Sequence, residues 1–577
     1  MKNRLRFCGL VFLLVFILII ARLFYWQIIR GPDLAARADS QYFDSLELPA
    51  ERGAILANDG SIIAGSVSNF LLFAYKPNLK SEAVPLSEKL TEILFEPPEL
   101  IASEGAKKEY DLNKKEFQQN LLDRLSSKSV WELLSKKITL PQKETIETWQ
   151  DNGLGFEVSS ARFYPDASQS AHLIGLVGND AAGNTKGYFG LEGKYDRELS
   201  GSDGILRQER DALGDPILVG SYKEIPSQPG RILVTHIDRF VQKMTEDGLK
   251  MGLNKYGASA GEVIIMDPKT GGIIASASYP NYDPGEYWEF DQSHLKNPTV
   301  SDSYEPGSTF KVLVMAAALD SKEVNPDTEC DICNGPVRIG KYTIGTWDGK
   351  YHPGATMTDT IVHSDNIGMV FVSRKLGQDW FVEYLKKFGI GVPTGVDLQE
   401  EVSPKLRDKW GEVDLATASF GQGIAVTTMQ MLRAVGAIAN KGELMTPQIV
   451  SEIRGNGENM LIKPKPAGKV ISQSAANEIK EMMVKAVIDG EAKFAAPKGY
   501  RIAGKTGTAQ IPVSGHYDKD KTIASFVGFA PADDPKFVMI VKLREPTSSP
   551  WGSETAAPLW FNIAKKLLLY WGISPAG

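Results

Sequence analysis

The segments Ser308-Thr309-Phe310-Lys311, Ser364-Asp365-Asn366 and Lys505-Thr506-Gly507-Thr508 follow one another in this order along the 577-residue chain. A serine hydroxyl is a weak nucleophile at neutral pH and needs a base beside it. On a helix, Ser308 and Lys311 lie one turn apart on the same face, so the amine can reach the hydroxyl. A second amine and a second hydroxyl from elsewhere in the chain can complete a proton relay. The three segments therefore predict acyl transfer through a covalent serine intermediate.

The surroundings of Ser308 and Lys505 support a shared site. Ser308 follows a Glu-Pro-Gly turn and precedes an apolar run at 312–319, which predicts a loop that leads into a helix with the serine at its start. Free backbone N–H groups and the helix dipole favour a developing anion at such a position. Lys505 lies in a run typical of an edge strand, and the runs 522–530 and 536–543 predict the next two strands.

Two of the three motifs have a second match in the chain, at Ser293-His294-Leu295-Lys296 and at Lys269-Thr270-Gly271. An isolated match of this length is more often a solvated helix face or a turn than a site. The Lys269 match joins two apolar runs, 263–266 and 273–277, and therefore predicts a hairpin turn. The context of Ser308 and Lys505 therefore favours the first set of motifs.

The segment from Tyr304 to Lys311 resembles the nucleophile segment of class B penicillin-binding proteins, the monofunctional peptidoglycan D,D-transpeptidases. Further segments that resemble this family extend over nearly the whole chain: Glu51-Arg52-Gly53-Ala54-Ile55, Arg162-Phe163-Tyr164-Pro165, His172-Leu173-Ile174-Gly175, Gly190-Leu191-Glu192, Ser419-Phe420-Gly421-Gln422-Gly423 and Glu554-Thr555-Ala556-Ala557-Pro558. The compact membrane-proximal module and the segment before Ser308 look more like the septal, cell-division branch than the elongation branch.

The resemblance implies an α+β protein with a penicilloyl-serine transferase (β-lactamase-like) transpeptidase domain, in which helices flank an antiparallel sheet. The order of strand-like and helical runs after residue 231 independently favours an antiparallel sheet with helices on its faces. We expect a cytoplasmic tail at 1–6, a transmembrane helix at 7–29, a non-catalytic dimerisation or pedestal module at 30–225 and the transpeptidase domain at 226–577. The charged stretch 107–150 is expected to be a helical surface insertion.

The N-terminus predicts a membrane anchor. Residues 7–21 are unbroken apolar sequence, and after Arg22 the run continues to residue 29 with three aromatic residues. A helix over 7–29 would be about 35 Å long, enough to cross a bilayer. The alternative is a cleaved signal peptide, but no small-residue cleavage site ends the first run. Three basic residues precede the run and predict a cytoplasmic N-terminus.

The resemblance also implies the roles of the site residues. Ser308, Lys311, Ser364 and Lys505 would be catalytic, with Lys311 the favoured base, although which amine acts at each step stays open. The expected substrate-binding residues are Asn366, Thr506, Gly507 and Thr508, and the expected oxyanion hole consists of the backbone N–H groups of Ser308 and Thr508. The role of Asp365 stays open. Arg52 and Gly53 are candidates for a module or partner interface.

The resemblance implies neither a cofactor nor a metal ion. Cys8 lies in the predicted anchor, and Cys330 and Cys333 form a single C-x-x-C. One such pair supplies at most two zinc ligands, and the spacing of His352 and His363 does not require them to join it. Outside the cytoplasm, a local disulfide or two unreactive thiols is favoured over a metal site.

The predicted reaction is the cross-linking of peptidoglycan stem peptides, with β-lactams acylating the same serine. A net charge of −7 argues against a general nucleic-acid binder. The resemblance implies a single-pass protein of the inner (cytoplasmic) membrane, with its catalytic domain outside the cytoplasm. It also implies a SEDS-family glycosyltransferase and other divisome or elongasome membrane proteins as partners. Three alternatives stay open: an elongation-specific transpeptidase, a β-lactam-hydrolysing resistance enzyme, and a non-catalytic scaffold for a glycosyltransferase.

Overall fold

The chain folds into two compact units, each formed from two stretches of sequence. A computed structural model describes residues 2–95, 104–209, 222–455, 457–513 and 516–575. The smaller unit comprises Met1–Arg52 and Ser200–Gly230, and the larger comprises Gly53–Leu199 and Arg231–Gly577.

The smaller unit begins with a long apolar helix, Lys2–Phe24, which continues into a π-helical turn, Tyr25–Ile29. Within the described part of the chain, this is the one helix long and apolar enough to cross a membrane. It includes the predicted span and starts five residues earlier than predicted. A second helix follows at Gly31–Tyr42, and an antiparallel sheet has the strand order Phe43–Leu48, Gly204–Glu209, Tyr222–Ile225.

A seven-stranded sheet forms one part of the larger unit. Six of its strands have the order Glu458–Leu461, Val450–Gly455, Ile232–Thr235, Ile55–Leu56, Ile62–Tyr75 and Trp131–Ile138. The seventh strand, Leu154–Phe163, also pairs with Ile62–Tyr75. The parallel pairing of Ile55–Leu56 with Ile232–Thr235 joins segments that are far apart in the chain. The first half of this unit also contains the hairpin Leu176–Asn179 and Thr185–Tyr188, and the helices Ala83–Leu94, Glu104–Ser126, Leu140–Glu147, Ala171–Ile174, Gly190–Lys194 and Asp196–Ser200.

The prediction of a surface insertion at 107–150 is wrong. This stretch contains the strand Trp131–Ile138, which pairs with the long strand Ile62–Tyr75. Five of its apolar residues are buried in a core shared with Leu72 and Leu86: Leu121, Leu125, Leu134, Ile138 and Ile146. The many charged residues of this stretch conceal the few apolar positions that face this core.

A five-stranded antiparallel sheet, here called the catalytic sheet, is the centre of the second half of the larger unit. Its strand order is Ile273–Tyr279, Ala260–Met266, Phe537–Arg544, His516–Ala530 and Ala503–Val513. Successive side chains point to opposite faces of a strand. Ile264 and Ile540 accordingly join a different core from Val263 and Val541. The last strand, Ala503–Val513, lies at one end of this order and is called the edge strand below.

Helices cover both faces of the catalytic sheet, as predicted. One face packs against Arg239–Tyr256 and Ala556–Tyr570, with Trp560 buried between them and the sheet. The helix Lys311–Asp320, here the nucleophile helix, is buried from Lys311 to Leu319. A helix that is apolar all round is expected in a core. The other helices of this half are Pro298–Ser301, Met357–Val362, Asn366–Lys387, Glu412–Ser419, Thr428–Ala439 and Gln473–Ile488.

Candidate active site

Ser308 lies in a single 3₁₀ turn, Gly307–Phe310, that leads directly into the nucleophile helix. A 3₁₀ turn has three residues per turn, so side chains three apart, such as Ser308 and Lys311, lie one above the other. Gly307 has φ of +55°, and a Cβ there would be 2.8 Å from the carbonyl oxygen of Thr508. A glycine is therefore needed for the serine turn to approach the edge strand this closely.

The side chain of Lys311 is completely buried and contacts the second motif. Its Nζ donates to the Ser364 carbonyl oxygen at 2.6 Å, to Ser364 Oγ at 3.3 Å and to Asn366 Oδ1 at 2.8 Å. Burial, and then repulsion by Lys505, lowers the pKa of Lys311 well below its ordinary value. Lowering the pKa of an amine makes its neutral form more accessible, and that form can accept the proton of a serine.

Asp365, whose role the sequence left open, is the N-cap of the helix Asn366–Lys387. Its Oδ1 accepts hydrogen bonds from the backbone N–H groups of Ile367 at 2.7 Å and Gly368 at 3.2 Å. Such a cap satisfies N–H groups that have no partner within the helix. The preceding residue, Ser364, has φ of +56° and therefore lies in the left-handed region. Asp365 thus helps to fix the turn that presents Ser364 and Asn366.

The amide of Asn366 is held at both ends. Its Oδ1 accepts from Lys311 Nζ, and its Nδ2 donates to the carbonyl oxygen of Gly345 at 3.2 Å. The two contacts define the orientation of the amide, since only the Nδ2 end can donate. The Nδ2 group keeps a second N–H for another acceptor.

The third motif lies on the edge strand, as predicted. Lys505 is buried, and its Nζ donates to the hydroxyl of Thr506 at 3.1 Å. The Thr506 hydroxyl in turn donates to Glu491 Oε2 at 3.0 Å. Burial lowers the pKa of Lys505, and the carboxylate of Glu491 opposes that change. Thr508 Oγ1 accepts a hydrogen bond from the Gly552 N–H at 3.0 Å.

Gly507 lets the edge strand pack closely against the protein. A Cβ at this position would lie 2.5 Å from Ser525 Oγ and 2.7 Å from Thr309 Cγ2. The absence of a side chain therefore brings the strand next to the turn that carries Ser308. The expected contact of Gly507 with a ligand stays a prediction.

A cavity of about 330 Å³ brings the three motifs together. Its lining includes Ser308, Ser364, Asn366, Thr506, Gly507 and Thr508. The lining residues that the sequence analysis did not single out include Glu491, Trp347 and Trp551. The two indole rings lie 5.0 Å apart, centroid to centroid, although they come from distant loops. No local pattern around these three residues marks them, because turns of this kind also occur far from any site.

The second matches to the motifs lie elsewhere. Lys269-Thr270-Gly271 forms the predicted hairpin turn between Ala260–Met266 and Ile273–Tyr279. Ser293 lies in a short 3₁₀ turn, Gln292–His294, and both Ser293 and Lys296 line a different cavity. Neither match joins the cavity that contains Ser308.

The two interface candidates, Arg52 and Gly53, are buried. The Gly53 N–H donates to the Leu199 carbonyl oxygen, and the Gly53 carbonyl accepts from Arg162 Nη1, both at 2.8 Å. Arg162 also forms a buried ion pair with Glu192 at 2.6 Å. Gly53 thus belongs to a polar network within the larger unit. An interface role for Arg52 stays a prediction.

Cys330 and Cys333 form a disulfide, which confirms one of the two favoured alternatives. Both residues are buried in the core that also contains the nucleophile helix. The backbone N–H of Cys330 donates to the Ala355 carbonyl at 2.9 Å, one residue before the Thr356 N-cap of the helix Met357–Val362. The disulfide therefore constrains a segment that is hydrogen-bonded to the residue before this N-cap, and the helix Met357–Val362 ends two residues before Ser364.

Comparisons with known proteins cover nearly the whole chain. The family model of the penicillin-binding protein transpeptidase domain matches residues 261–568, and that of the penicillin-binding protein dimerisation domain matches residues 47–235. The chain is 31% identical over 581 residues to stage V sporulation protein D of Bacillus subtilis (strain 168), covering 100% of this chain and 86% of that protein. It is 27% identical to the probable peptidoglycan D,D-transpeptidase PenA of Neisseria gonorrhoeae, and the match covers 100% of this chain and 94% of that protein.

The fold is also similar to that of a solved structure. The crystal structure of penicillin-binding protein 2X from Streptococcus thermophilus matches with a TM-score of 0.74 at 23% sequence identity. The match covers 92% of this chain and 81% of that one. At this identity the similarity concerns the fold alone, and it agrees with the predicted α+β architecture.

Proposed function

The chain belongs to the class B penicillin-binding proteins, and from this premise we propose that it is a membrane-anchored serine D,D-transpeptidase that cross-links peptidoglycan stem peptides. One observation carries the proposal. A single cavity contains Ser308, and the buried amines of Lys311 and Lys505 contact its lining residues Ser364 and Thr506. This arrangement combines a nucleophile, a base and a proton donor in one site.

The first step is acylation of Ser308 by a stem pentapeptide that ends in D-Ala-D-Ala. Ser308 Oγ attacks the penultimate carbonyl carbon, and Lys311 takes the hydroxyl proton as general base. The C–N bond then breaks, and the leaving D-alanine amine receives a proton through Ser364, with Lys505 supporting the relay. The contact between Lys311 and Ser364 supports this route, because it joins the base to the next hydroxyl.

The second step transfers the acyl group to the amine of a neighbouring stem peptide. The amine attacks the ester carbonyl and loses a proton, the ester bond to Ser308 Oγ breaks, and the serine regains its proton. A β-lactam acylates the same oxygen, but its leaving nitrogen stays attached through the opened ring. The same groups therefore account for both cross-linking and labelling by penicillin.

We assign substrate positioning to residues that line the cavity, among them Asn366, Thr506 and Thr508. The Asn366 amide keeps one N–H for a carbonyl of the substrate. The wall that carries Thr506 and Thr508 would bind the terminal carboxylate, beside the charge of Lys505. The backbone N–H groups of Ser308 and Thr508 would form the oxyanion hole, in which each donor contributes about 3 kcal/mol in comparable sites. The approach of Gly307 to Thr508 supports this pairing.

The apolar helix Lys2–Ile29 would anchor the protein in the inner membrane as a single pass. Lys2, Arg4 and Arg6 precede the predicted span, which favours a cytoplasmic N-terminus and residues 30–577 outside the cytoplasm. Within that region we assign 30–225 to the non-catalytic module and 226–577 to the transpeptidase domain. A SEDS-family glycosyltransferase would supply the glycan strands as a membrane partner.

We assign the protein to septal rather than lateral wall synthesis. Labelling with a fluorescent penicillin tests the chemistry, since a non-catalytic scaffold does not label. A hydrolase labels briefly and turns over a chromogenic cephalosporin, whereas a transpeptidase keeps its label. A fluorescent fusion that localises along the side wall, and not at the division plane, would contradict the septal assignment.

A further inference from the structure

A carboxylate that belongs to none of the three motifs, Glu491, lies on the wall of the active-site cavity. It is in the turn that follows the helix Gln473–Ile488, three residues after the helix ends. Glu491 Oε2 accepts a hydrogen bond from the Thr506 hydroxyl at 3.0 Å. Thr506 Oγ1 in turn accepts a hydrogen bond from Lys505 Nζ at 3.1 Å. The hydrogen bonds therefore run in one direction, from the amine through the hydroxyl to the carboxylate.

The charges that act on the buried lysines of the site are those of Glu491, Asp365 and Lys505. Lys311 on the nucleophile helix and Lys505 on the edge strand are both buried, and burial lowers the pKa of each. Lys505 lowers the pKa of Lys311 further, whereas Glu491 opposes the change in both lysines and Asp365 opposes it in Lys311 alone. Repulsion between two buried amines disfavours the state in which both carry a proton.

Among the residues that the structure describes, one of the two lysines has a hydrogen-bonded path to Glu491. Thr506 joins Lys505 to the carboxylate, whereas Lys311 Nζ donates to Ser364 and Asn366, which are uncharged. A positive charge is more stable on the amine that a carboxylate compensates through a short, oriented path. The proton is therefore better placed on Lys505 than on Lys311.

We propose that Glu491 is a positioning residue that keeps Lys505 cationic through Thr506 and thereby leaves Lys311 as the neutral amine that activates Ser308. This inference rests on the proposed roles of Ser308, Lys311 and Lys505. It assigns the two lysines to different tasks: the neutral one accepts the serine proton, and the charged one faces the substrate carboxylate and supplies the relay.

The same contact divides the tasks of the two threonines. A hydroxyl has one proton to donate, and Thr506 donates its proton to Glu491. Thr508 Oγ1 accepts from the Gly552 N–H, so its own proton stays available for a substrate carboxylate. Thr508 is therefore the hydroxyl that binds the substrate carboxylate while Thr506 holds Lys505.

The test measures the acylation rate constant of the detergent-solubilised full-length chain with a fluorescent penicillin, from about pH 6 to pH 10. Glu491→Gln keeps an acceptor oxygen but removes the charge. The alkaline limb of the profile, where Lys505 loses its proton, should move to lower pH by about one unit or more. At a pH above the shifted limb, the acylation rate constant of Glu491→Gln should be about tenfold lower than that of the wild type. Glu491→Asp should keep the limb nearer its wild-type position.

Two further variants make the test specific. Thr506→Val removes the bridging hydroxyl and should shift the same limb in the same direction. Asp489→Asn removes a carboxylate from the same turn, but Asp489 is exposed and does not line the cavity, so its profile should match that of the wild type. Melting temperatures near that of the wild type show that each variant is folded.

A Glu491→Gln profile that is lowered by one factor at every pH, or that does not change, overturns the proposal. If Glu491→Gln does not fold, the Thr506→Val profile tests the proposal instead, and an alkaline limb at the wild-type position overturns it. If the proposed roles of Ser308, Lys311 and Lys505 are wrong, the result is different. The wild-type chain would then not be labelled by the penicillin, or the Ser308→Ala variant would still be labelled.

Discussion

Lys311 Nζ lies 3.3 Å from Ser364 Oγ, although 53 residues separate the two in the chain. The contact joins the helix that follows the nucleophile to the turn before the helix Asn366–Lys387. It places two candidate proton carriers in direct contact inside a buried site. The proposed relay requires a contact between the base and the second hydroxyl, and these two atoms are within hydrogen-bonding distance.

The first prediction concerns the nucleophile. Ser308→Ala should abolish covalent labelling by penicillin, because Ser308 is the serine that the 3₁₀ turn places one turn before Lys311. Ser293→Ala should label normally, since Ser293 lines a different cavity. Peptide mass mapping of the wild-type adduct provides the direct measurement. An adduct on any peptide other than the one with Ser308 would contradict the assignment.

The second prediction concerns the base. Lys311→Ala should lower the acylation rate by about 10²–10⁴-fold, the usual contribution of a positioned general base. The pKa of Lys311 is lowered, so in the wild type the amine loses its proton at a lower pH than an exposed lysine. The acylation rate should rise with pH through this lowered pKa and stop rising well below about pH 10.4, the ordinary pKa of lysine. A rate that continues to rise to that pH would argue against Lys311 as the base.

The third prediction compares two residues of the edge strand. Lys505→Ala should slow acylation more than Thr508→Ala does. The lysine variant loses a positive charge and a relay group, whereas the threonine variant loses a hydroxyl but keeps its backbone N–H for the oxyanion hole. Acylation rate constants for the two variants, measured side by side at one pH, test this order. A larger loss in Thr508→Ala would mean that carboxylate binding outweighs the charge.

The fourth prediction concerns Arg52. Arg52→Ala should leave penicillin labelling largely intact but impair growth complementation, because a planar group with five donors suits an interface between modules or with a partner. Glu51→Ala is a matched control, since Glu51 is the exposed neighbour. Equal loss of labelling and complementation in Arg52→Ala would indicate a folding defect. Full complementation would remove the case for a special role.

The fifth prediction concerns topology. A reporter fused after Gly577 should be active only if it functions outside the cytoplasm, since basic residues before the apolar helix favour a cytoplasmic N-terminus. A pair of reporters with opposite requirements, one periplasmic and one cytoplasmic, provides the measurement. Activity of the cytoplasmic reporter would contradict both the orientation and the access to stem peptides.

Some of the fold was predictable because it depends on residues that are close in sequence. The hairpin at Lys269-Thr270-Gly271 and the helix Ala556–Tyr570 follow from local turn residues and apolar periodicity. The predicted strands 522–530 and 536–543 lie in two neighbours of the catalytic sheet for the same reason. The prediction of a surface insertion at 107–150 was wrong because the strand in this stretch is stabilised by pairing with the distant strand Ile62–Tyr75.

The sequence by itself determined which chemical groups the site contains, since Ser308, Lys311, Ser364 and Lys505 are recognisable from the spacing of short motifs and from the resemblance that they carry. Only the tertiary structure decided how these groups are charged and connected. It buried both lysines, made Asp365 a helix cap and brought Glu491 to Thr506 from a separate turn. A pKa depends on burial and on the charges that surround a group in space, and neither is a local property of the chain.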